Sequence, residues 1–359
     1  MKISLIGDFS TVHANLKKGF LSNRVQCDVY SDGDSFKNTS RDFYYGNPYS
    51  GYFGLTRYLM IDQLKQLRSI FESSDVVQFM GPNSIVSPNH FRIKYASQIL
   101  KIFDEYPNVK VGFLICGCDA HVEKKMRMLP RSPCEGCLKD DGLGKCGLND
   151  TSRLEYENII LDRADLIQPL GGSSYFNAYK SAAPSLPFPF DSDLPFICQG
   201  PVEKLRVLHG INRRGFKGSE IILEVLRDLE ICYPDLFEVV VPERLPYDKY
   251  IELVGSCDIV VDQLFGDGLG MNALACLSMG KVVLTSHDRD WVSKLYGSDS
   301  PAFDVFSSES LRSTLLKIAE WDIADFRGAG EKSRKFVENS CSSEIISKKI
   351  LDRYFEKQT

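Results

Sequence analysis

Short apolar runs of strand length alternate with longer amphipathic stretches along most of this chain, and no other feature limits its fold as strongly. Strands that alternate with helical patterns are typical of a parallel sheet covered by helices. In the first part of the chain, the predicted strands are residues 2–6, 25–30, 76–79, 111–116 and 166–170. The predicted helices of this part lie around 55–71, 90–103 and 152–163. We therefore predict a doubly wound α/β domain here.

A proline-dense segment separates this series from a second one of the same kind. Prolines are too frequent between residues 182 and 201 for a helix or a central strand, so we place the domain linker there. The second series comprises predicted strands 205–209, 237–241, 258–262 and 282–285 and predicted helices 219–228, 247–254 and 270–279. The expected domains are 1–190, with a Cys-rich insertion at 116–147, and 191–341. Residues 342–359 are expected to form a closing helix that packs back on the first domain, because apolar residues recur there at helical spacing.

Composition excludes several classes of protein. The 359 residues suffice for about two domains. Lys and Arg total 43 against 48 Asp and Glu, a net charge of -5, so we expect no nucleic-acid partner. No apolar stretch reaches the roughly 18 residues of a membrane-spanning helix, and Met1–Gly7 does not resemble an export signal, so we expect a cytoplasmic protein. In that compartment the 11 cysteines are expected to be thiols or metal ligands rather than disulfides.

The segment after strand 205–209 combines a glycine with three basic side chains. His209 and Gly210 end the strand, and Arg213, Arg214 and Lys217 follow before the next helix. The N-terminus of that helix adds positive potential, and phosphates favour this combination. The alternative interpretation is a solvated basic turn.

A second, glycine-rich loop joins a strand to an apolar helix in the same domain. Gly268 and Gly270 permit a tight turn, and the backbone N–H groups of Gly270, Met271 and Asn272 are placed to face an anion at the helix start. The alternative is that these glycines merely allow the turn. Two anion-binding turns in one domain suggest a diphosphate.

These motifs and several others occur in the order and at the spacing of a known enzyme family. They are Gly7-Asp8-Phe9-Ser10 with His13, Leu16 and Gly19; Ser31-Asp-Gly-Asp34; His209-Gly with Lys217-Gly218; Pro246-Tyr247 with Tyr250; 258–263; and Ser278-Met-Gly-Lys281. The chain thereby resembles the bacterial group 1, family 4-like, nucleotide-sugar-dependent glycosyltransferases. The resemblance implies the GT-B fold, in which two Rossmann-like α/β domains face each other across a cleft. It also implies that the second domain holds most of the donor nucleotide and the first domain the acceptor.

The activity implied by the resemblance is transfer of a sugar from a nucleoside-diphosphate sugar to a hydroxyl group. The acceptor would be a glycan, a lipid-linked molecule or a protein, and the product a surface glycan. Lys217, with Arg213 or Arg214 and the helix start at 270–272, would stabilise the departing diphosphate. We therefore expect no catalytic metal.

The chain departs from the family at two positions that matter. Retaining members carry a Glu, seven residues and a second Glu; the first contacts the donor sugar and the second contacts the ribose. The corresponding residues here are Asp267 and Ala275. We expect Asp267 to orient the sugar, whereas Ala275 cannot hold a ribose. Two alternatives follow: a non-catalytic GT-B-like protein that binds a nucleotide sugar or a glycan, and a nucleotide-sugar epimerase on the same fold.

Candidate acid–base residues lie after strands of the first domain. Asp119 and His121 follow strand 111–116 at a place where relatives put a cleft-lining His or Asp, so we expect them to meet the sugar or the acceptor hydroxyl. The competing interpretations are a helix-capping Asp and an ordinary surface His. Asp8, Ser10 and His13, in the loop after the first strand, are further candidates on the acceptor side.

A Cys-x2-Cys pair with a third cysteine downstream suggests a structural zinc site. Cys134, Cys137 and Cys146 would supply three thiolates, and Cys118 or His121 would complete the tetrahedron. Such a site would hold an insertion that has little core of its own. If His121 bound zinc it could not act as a base. The alternative is free thiols.

Membrane contact is a further expectation, because lipid-linked acceptors are common in this family. Lys17, Lys18 and Arg24 are candidates for contact with the inner face of a membrane, or they are simply solvated charges. The aromatic stretch 43–53 would stack on sugar rings, insert at a membrane surface or belong to the core.

Overall fold

The computed structural model describes residues 1–46, 56–85, 92–140, 151–198, 200–201 and 203–355. Features predicted at other positions, Cys146 and most of the aromatic stretch 43–53 among them, lie outside these ranges. Two parallel sheets organise the described chain, and both carry helices, as the alternating pattern predicted.

The first sheet has six parallel strands in the order β3-β2-β1-β4-β5-β6. The strands are β1 (Lys2–Ile6), β2 (Gln26–Ser31), β3 (Phe43–Tyr44), β4 (Val76–Phe79), β5 (Lys110–Ile115) and β6 (Leu166–Pro169). The helices of this part are α1 (Val12–Ser22), α2 (Thr56–Glu72), α3 (Arg92–Glu105), α4 (Ala120–Met126), α5 (Cys134–Asp140), α6 (Thr151–Leu161) and α7 (Ser173–Phe176). Strands β4 and β6 are buried at every residue, which explains their near-continuous apolar runs. We call this part the N-terminal domain.

The second sheet has four parallel strands in the order β10-β9-β7-β8. The strands are β7 (Leu205–Leu208), β8 (Phe237–Val240), β9 (Ile259–Val261) and β10 (Val282–Leu284). The helices are α8 (Arg214–Lys217), α9 (Ser219–Cys232), α10 (Tyr247–Gly255), α11 (Met271–Ser278), α12 (Arg289–Tyr296), α13 (Ser308–Ile318), α14 (Ile323–Ser340) and α15 (Ser343–Phe355). We call the part around this sheet the C-terminal domain.

The strand order reverses in each sheet, and these reversals position the site. In the first sheet the chain moves outward from β1 in one direction to β2 and in the other to β4, and in the second sheet β7 lies between β8 and β9. Ligands of open α/β sheets bind outside the carboxyl ends of the strands at such switch points. The loops after β1, β7 and β9 are therefore the positions where a ligand site is expected.

The last helix, α15, packs on α1 of the N-terminal domain. A Cβ atom at Gly19 would lie 2.0 Å from the carbonyl oxygen of Ser343, so only glycine permits this approach. On the same side, the Tyr354 hydroxyl donates to Gln78 Oε1 at 3.1 Å inside the core. Among the described helices, none combines the length and apolar character that a bilayer crossing needs.

Candidate functional site

Two adjoining cavities lie where loops of the two domains face each other. The larger has a volume of about 360 Å³, within the usual range for ligand sites, and the smaller about 90 Å³. Phe9 and Ser10 after β1 and Cys116–Cys118 after β5 contribute to the larger cavity from the N-terminal domain. The C-terminal domain contributes the loops after β7 and β9. The site thus occupies the carboxyl ends of strands from both sheets.

The smaller cavity is mainly apolar and belongs mostly to the C-terminal domain. Its apolar lining includes Phe190, Ile211, Pro242, Leu245, Tyr247, Tyr250, Ile251, Met271 and Ala275. Gly210 also lines this cavity, and only glycine fits there because a Cβ atom would lie 2.6 Å from the ring of Tyr250. A flat, apolar ring system is the kind of ligand group that such a lining favours.

Lys217 lies where the two cavities meet, and Asp262 holds it in place. The Lys217 Nζ donates to the Gly210 carbonyl oxygen at 3.0 Å and to Asp262 Oδ1 at 2.9 Å. The same carboxylate oxygen accepts from Asn272 Nδ2 at 2.8 Å. An ammonium group has three N–H donors, so one of the three is left for a ligand. Asp262 was missed by the sequence analysis, although a polar residue directly after a buried strand was the available signal.

The start of helix α11 faces the larger cavity. Gly270, Met271 and Asn272 all line it, with Gly270 as the N-cap residue. Gly270 carries no side chain that could bond the first N–H groups of the helix, and no such cap bond is formed. The structure therefore brings these three predicted residues together with Lys217 at one cavity.

The two arginines of the basic loop diverge. Arg213 lines the larger cavity, where its guanidinium lies 4.0 Å from the centroid of the Phe216 ring and donates to Cys137 Sγ at 3.0 Å. Arg214 instead donates to Glu220 Oε1 at 2.7 Å and to Glu243 Oε2 at 3.4 Å, and it lines neither cavity. Of the pair, only Arg213 lines a cavity.

His209 is part of the interior rather than of the cavity lining. Its Nδ1 donates to the Val261 carbonyl oxygen at 2.8 Å, and its Nε2 accepts from the Ser219 hydroxyl at 2.9 Å. Burial lowers the pKa of His209 to about 4, so the ring is neutral at physiological pH. The residue predicted to bind the donor thus connects β7, β9 and α9.

Asp267 and Gly268 connect the two domains. The Asp267 carboxylate accepts from Ser173 Oγ at 2.7 Å, from the Ser174 backbone N–H at 2.7 Å and from Ser174 Oγ at 3.2 Å. Gly268 lies so close to Gly172 that a Cβ atom there would come within 2.9 Å of the Gly172 Cα. Both residues line the larger cavity, but both oxygens of Asp267 are engaged by the N-terminal domain.

Asp119 and His121 both contact Tyr179, and neither lines either cavity. Asp119 is the N-cap of α4, where Oδ1 accepts from the Val122 N–H at 2.8 Å and Oδ2 accepts from the Tyr179 hydroxyl at 2.5 Å. Burial, reinforced by the charge of Glu157, raises the pKa of Asp119 to about 7. The His121 ring packs on Tyr179 with 4.9 Å between centroids. This arrangement matches the capping interpretation of Asp119.

In the loop after β1, only Ser10 of the three candidates lines the cavities. Asp8 and His13 are buried beneath it, and the His13 backbone N–H donates to Asp8 Oδ1 at 2.9 Å. Burial raises the pKa of Asp8 to about 7 and lowers that of His13 to about 4. Ser10 is held by Asp34 and Lys37, which both line the larger cavity. Asp34 was identified from the sequence only as part of a family motif, and Lys37 was missed.

The cysteines proposed as zinc ligands do not assemble within the described ranges. No group of three or more Cys, His, Asp or Glu side chains suited to a metal occurs there. Cys137 faces the Arg213 guanidinium, and the Cys118 thiol lies 3.9 Å from Met126 Sδ. A guanidinium beside a thiol competes with a metal cation, and Cys146, the third predicted ligand, lies outside the described ranges.

Two of the basic residues proposed for membrane contact are already paired. Lys17 forms an ion pair with Asp42, and Lys18 forms one with Asp193. In the part of the aromatic stretch that the structure describes, Phe43 stacks on Tyr30 with 4.9 Å between ring centroids and remains half exposed.

We compared the chain with known protein families, sequences and solved structures. No protein-family model matches the chain, and no curated protein sequence does. Among solved structures, an α-glucosyltransferase in complex with UDP and a DNA 13-mer shares 12% identity over 99% of this chain and 100% of its own, with a TM-score of 0.63. Sucrose-phosphate synthase from Thermosynechococcus elongatus shares 13% identity over 99% and 98% of the two chains, with a TM-score of 0.62.

A third solved structure also resembles this chain over its full length. Anabaena HepE in complex with UDP and glucose shares 11% identity, covers 99% of both chains and has a TM-score of 0.62. The sequence motifs had predicted two Rossmann-like domains facing each other across a cleft. Full-length likeness to these glycosyltransferase structures confirms that prediction: the chain has the α/β GT-B fold.

Proposed function

We propose that this protein binds a nucleoside-diphosphate sugar in the cleft and transfers its sugar to a hydroxyl acceptor. The observation that carries the proposal is the pairing of an apolar cavity with a more polar one at the carboxyl ends of the second sheet. A nucleotide sugar has the same division, with a flat base at one end and a diphosphate and sugar at the other. Complexes of HepE and of the α-glucosyltransferase with UDP support this choice of ligand.

In this proposal, catalysis comes from preorganised charge at the leaving group. The free N–H of Lys217 and the N-terminus of α11 would bind the diphosphate, with Arg213 lining the same cavity. Negative charge grows on the diphosphate as the glycosidic bond breaks, so donors fixed in advance stabilise the transition state more than the ground state. The rigid attachment of Lys217 to Asp262 keeps that donor in position.

The acceptor would enter from the N-terminal domain. Ser10, Asp34 and Lys37 line the larger cavity there and offer hydroxyl, carboxylate and ammonium groups for binding sugar hydroxyls. We propose a glycan, a lipid-linked molecule or a protein as acceptor, in the synthesis of a surface glycan. The predicted structural zinc is a separate proposal that metal analysis of the purified protein would test.

The donor site is tested by thermal unfolding with a panel of nucleoside diphosphates and their sugars. A ligand at 100 times its dissociation constant stabilises the native state by about 2.7 kcal/mol. We expect one base to give such a shift in the wild type and in Lys249→Ala, an exposed lysine chosen as control. The shift should be lost in a Lys217→Met, Asp262→Asn double variant.

The double variant is designed so that no unpaired charge is left buried. Asn at 262 can still accept from Asn272, and removal of a carboxylate by itself favours an anionic ligand. Loss of binding is therefore attributable to Lys217. An unchanged shift in the double variant would contradict the role of Lys217, and the absence of a shift with every nucleotide would contradict the donor site.

A second candidate is a protein that binds the nucleotide sugar without transferring it. The observation in its favour is that Ser173 and Ser174 engage both oxygens of Asp267, the residue expected to orient the sugar. Stabilisation by a nucleotide sugar without transfer or hydrolysis would favour this candidate. Conversion of the sugar nucleotide without any acceptor would instead identify an epimerase.

A further inference from the structure

We infer that Phe9 binds a sugar ring of the acceptor, so that the group receiving the sugar belongs to a saccharide rather than to a protein side chain or a phosphorylated glycerol. The inference rests on the proposed function, because it names the acceptor class for the same cleft. It depends on the exposure of the Phe9 ring, on what supports that ring and on the polar groups that share its cavity.

Phe9 presents an exposed aromatic ring to the larger cavity. The residue follows β1 and lines that cavity, and 44% of its surface is accessible. Three other apolar residues that line the cavity, Val12, Met126 and Phe188, are at most 5% exposed because protein atoms already cover them. The Phe9 ring is therefore not part of the hydrophobic core, and it offers apolar area that a ligand can cover.

Gly117, in the loop after β5, supports this ring along one edge. A Cβ atom at Gly117 would lie 3.0 Å from Phe9 Cε2 and 3.2 Å from Phe9 Cδ2, so the ring lies against the backbone of that loop. Cys116 and Cys118, on either side of the glycine, line the same cavity. A ring that is already supported loses little conformational freedom when a ligand packs on it.

The loop that carries Phe9 is fixed by the loop after β2. Ser10 and Thr11 have left-handed backbones, with φ of 50° and 70°, and so does Asp34, with φ of 55°. The Ser10 N–H donates to Asp34 Oδ2 at 2.8 Å, and Lys37 Nζ donates to the same oxygen at 2.6 Å and to Ser10 Oγ at 2.8 Å. Residues with a side chain adopt such backbones rarely and often at functional sites. The two loops thus hold each other in a conformation that keeps Phe9 at the cavity.

Two polar groups of these loops are left for a ligand. Both bonds to Asp34 use Oδ2, and within the described chain its Oδ1 accepts no hydrogen bond, while Lys37 keeps a third N–H. Both side chains are partly accessible and line the larger cavity together with Phe9. A free carboxylate oxygen accepts from a hydroxyl group, and a free ammonium N–H donates to one.

A pyranose ring combines the two properties that these groups bind. One of its faces presents C–H groups that pack on an aromatic ring, and its rim carries hydroxyl groups for Asp34 and Lys37. A phosphate would be attracted by Lys37 but repelled by Asp34 at its side. A serine or threonine side chain is too small to cover the ring of Phe9. A saccharide is therefore the acceptor class that uses all three side chains.

The test measures the binding of small probes to protein saturated with the nucleoside diphosphate that stabilises it most. The probes are the methyl glycosides of glucose, galactose, mannose and N-acetylglucosamine, with N-acetylserine amide and glycerol 3-phosphate for the other acceptor classes. Saturation-transfer NMR detects weak ligands of this size, and titration gives each dissociation constant. We expect at least one methyl glycoside to bind more tightly than both other probes.

Phe9→Ala should raise the dissociation constant of that methyl glycoside about tenfold, because the aromatic partner of its ring is lost. Phe9→Tyr keeps a ring and should retain most of the affinity. Phe355→Ala, at a similarly exposed phenylalanine that lines neither cavity, is the matched control and should behave as wild type. Unfolding midpoints without ligand show whether each variant is folded.

A second measurement separates a contact with the acceptor from a contact with the donor sugar. The affinities of the nucleoside diphosphate and of the corresponding nucleotide sugar are determined by calorimetry for wild type and Phe9→Ala. Neither affinity should change, because Phe9 is assigned to the acceptor. A loss of affinity confined to the nucleotide sugar would place Phe9 against the donor sugar and overturn the inference.

The outcomes distinguish this inference from the function on which it rests. Methyl glycosides that bind wild type and Phe9→Ala equally, or that bind no better than the serine and glycerol probes, overturn the role of Phe9 and leave nucleotide binding intact. A wild type that binds no nucleotide overturns the proposed function, and the inference with it.

Discussion

At the scale of single residues, Asp262 organises the polar cavity. One of its oxygens accepts from both Lys217 and Asn272, and the carboxylate is almost fully buried. The residue therefore fixes two groups of the proposed diphosphate site. Asp262 need not contact a ligand itself to position Lys217 and Asn272.

Asp262→Asn is expected to destabilise the protein by about 3 kcal/mol, because the Lys217 ammonium loses its buried counter-charge. The Lys217→Met, Asp262→Asn double variant should recover most of that loss, since neither charge is then present. Urea unfolding of the single and double variants measures both values. Additive losses in the double variant would show that the two residues do not stabilise each other.

Burial of His209 makes the free energy of unfolding depend on pH, and the two pKa values of the residue fix the sign of that dependence. Its pKa is about 4 in the folded protein and 6.5 in a model peptide, so the unfolded chain binds more protons between these values. Stability from His209 is therefore complete above pH 6.5 and is lost as the pH falls towards 4. Between pH 7 and pH 5 the loss is about 2 kcal/mol.

His209→Gln keeps hydrogen-bonding atoms but cannot be protonated in this range. The free energy of unfolding of this variant should fall less steeply than that of the wild type between pH 7 and pH 5. His13 contributes a slope of the same sign, whereas Asp8 and Asp119, whose pKa values are raised to about 7, contribute slopes of the opposite sign. The contribution of His209 is therefore the difference between the slopes of the two proteins. Parallel slopes for the two proteins would mean that His209 is not buried as described.

At the scale of elements, α15 is attached to the N-terminal domain by contacts that depend on small residues. Gly19 on α1 admits the backbone of Ser343, and Gly112 on β5 admits the Tyr354 hydroxyl, where a Cβ atom would lie only 1.7 Å away. Backbone atoms cannot give way as a flexible side chain can. The docking of α15 is therefore sensitive to a single methyl group.

Gly19→Ala is expected to destabilise the protein by about 1 to 3 kcal/mol, because the added methyl forces α1 and α15 apart. Gly328→Ala is a matched control in the interior of α14, where nothing lies within 4 Å of the added Cβ. The control should be neutral or more stable, since alanine favours a helix over glycine by about 1 kcal/mol. Thermal unfolding and limited proteolysis of the C-terminal helix provide the two readouts.

At the scale of the whole molecule, the domains touch along one side of the cleft. Helix α5 meets α8 so closely that a Cβ atom at Gly136 would lie 2.3 Å from the carbonyl oxygen of Gly215. Nearby, Arg131 bonds to Asp304 at 2.6 Å, and its backbone carbonyl oxygen accepts from the Gly266 N–H at 2.9 Å. These contacts hold together the two walls of the proposed donor site.

Gly136→Val is expected to separate the two domains on this side, because neither backbone can move away independently. Small-angle scattering should show an increased radius of gyration, and nucleotide affinity should fall because the cavity draws on both domains. Gly328→Ala again serves as control. A variant with an unchanged radius and unchanged affinity would show that the α5 and α8 contact does not close the cleft.

The sequence by itself determined the fold class and pointed to loops that line the two cavities. Alternating strand and helix patterns predicted both sheets, because buried parallel strands and amphipathic helices leave local periodicities. Strand β3 escaped prediction since it has two residues, both exposed. The loops after β7 and β9 were identified because parallel strands bring their carboxyl ends to one edge.

Only the tertiary structure decided which side chains of those loops face the cavity. Lys217 turns inward to Asp262 while Arg214 turns outward to Glu220, although both stand in one short basic segment. The second oxygen of Asp119 accepts from Tyr179, a partner 60 residues away in the chain. Side-chain direction in a loop depends on partners that are distant in the chain, and no local pattern records them. Periodicity therefore specifies the scaffold, whereas the site is specified by contacts between residues that only the folded chain brings together.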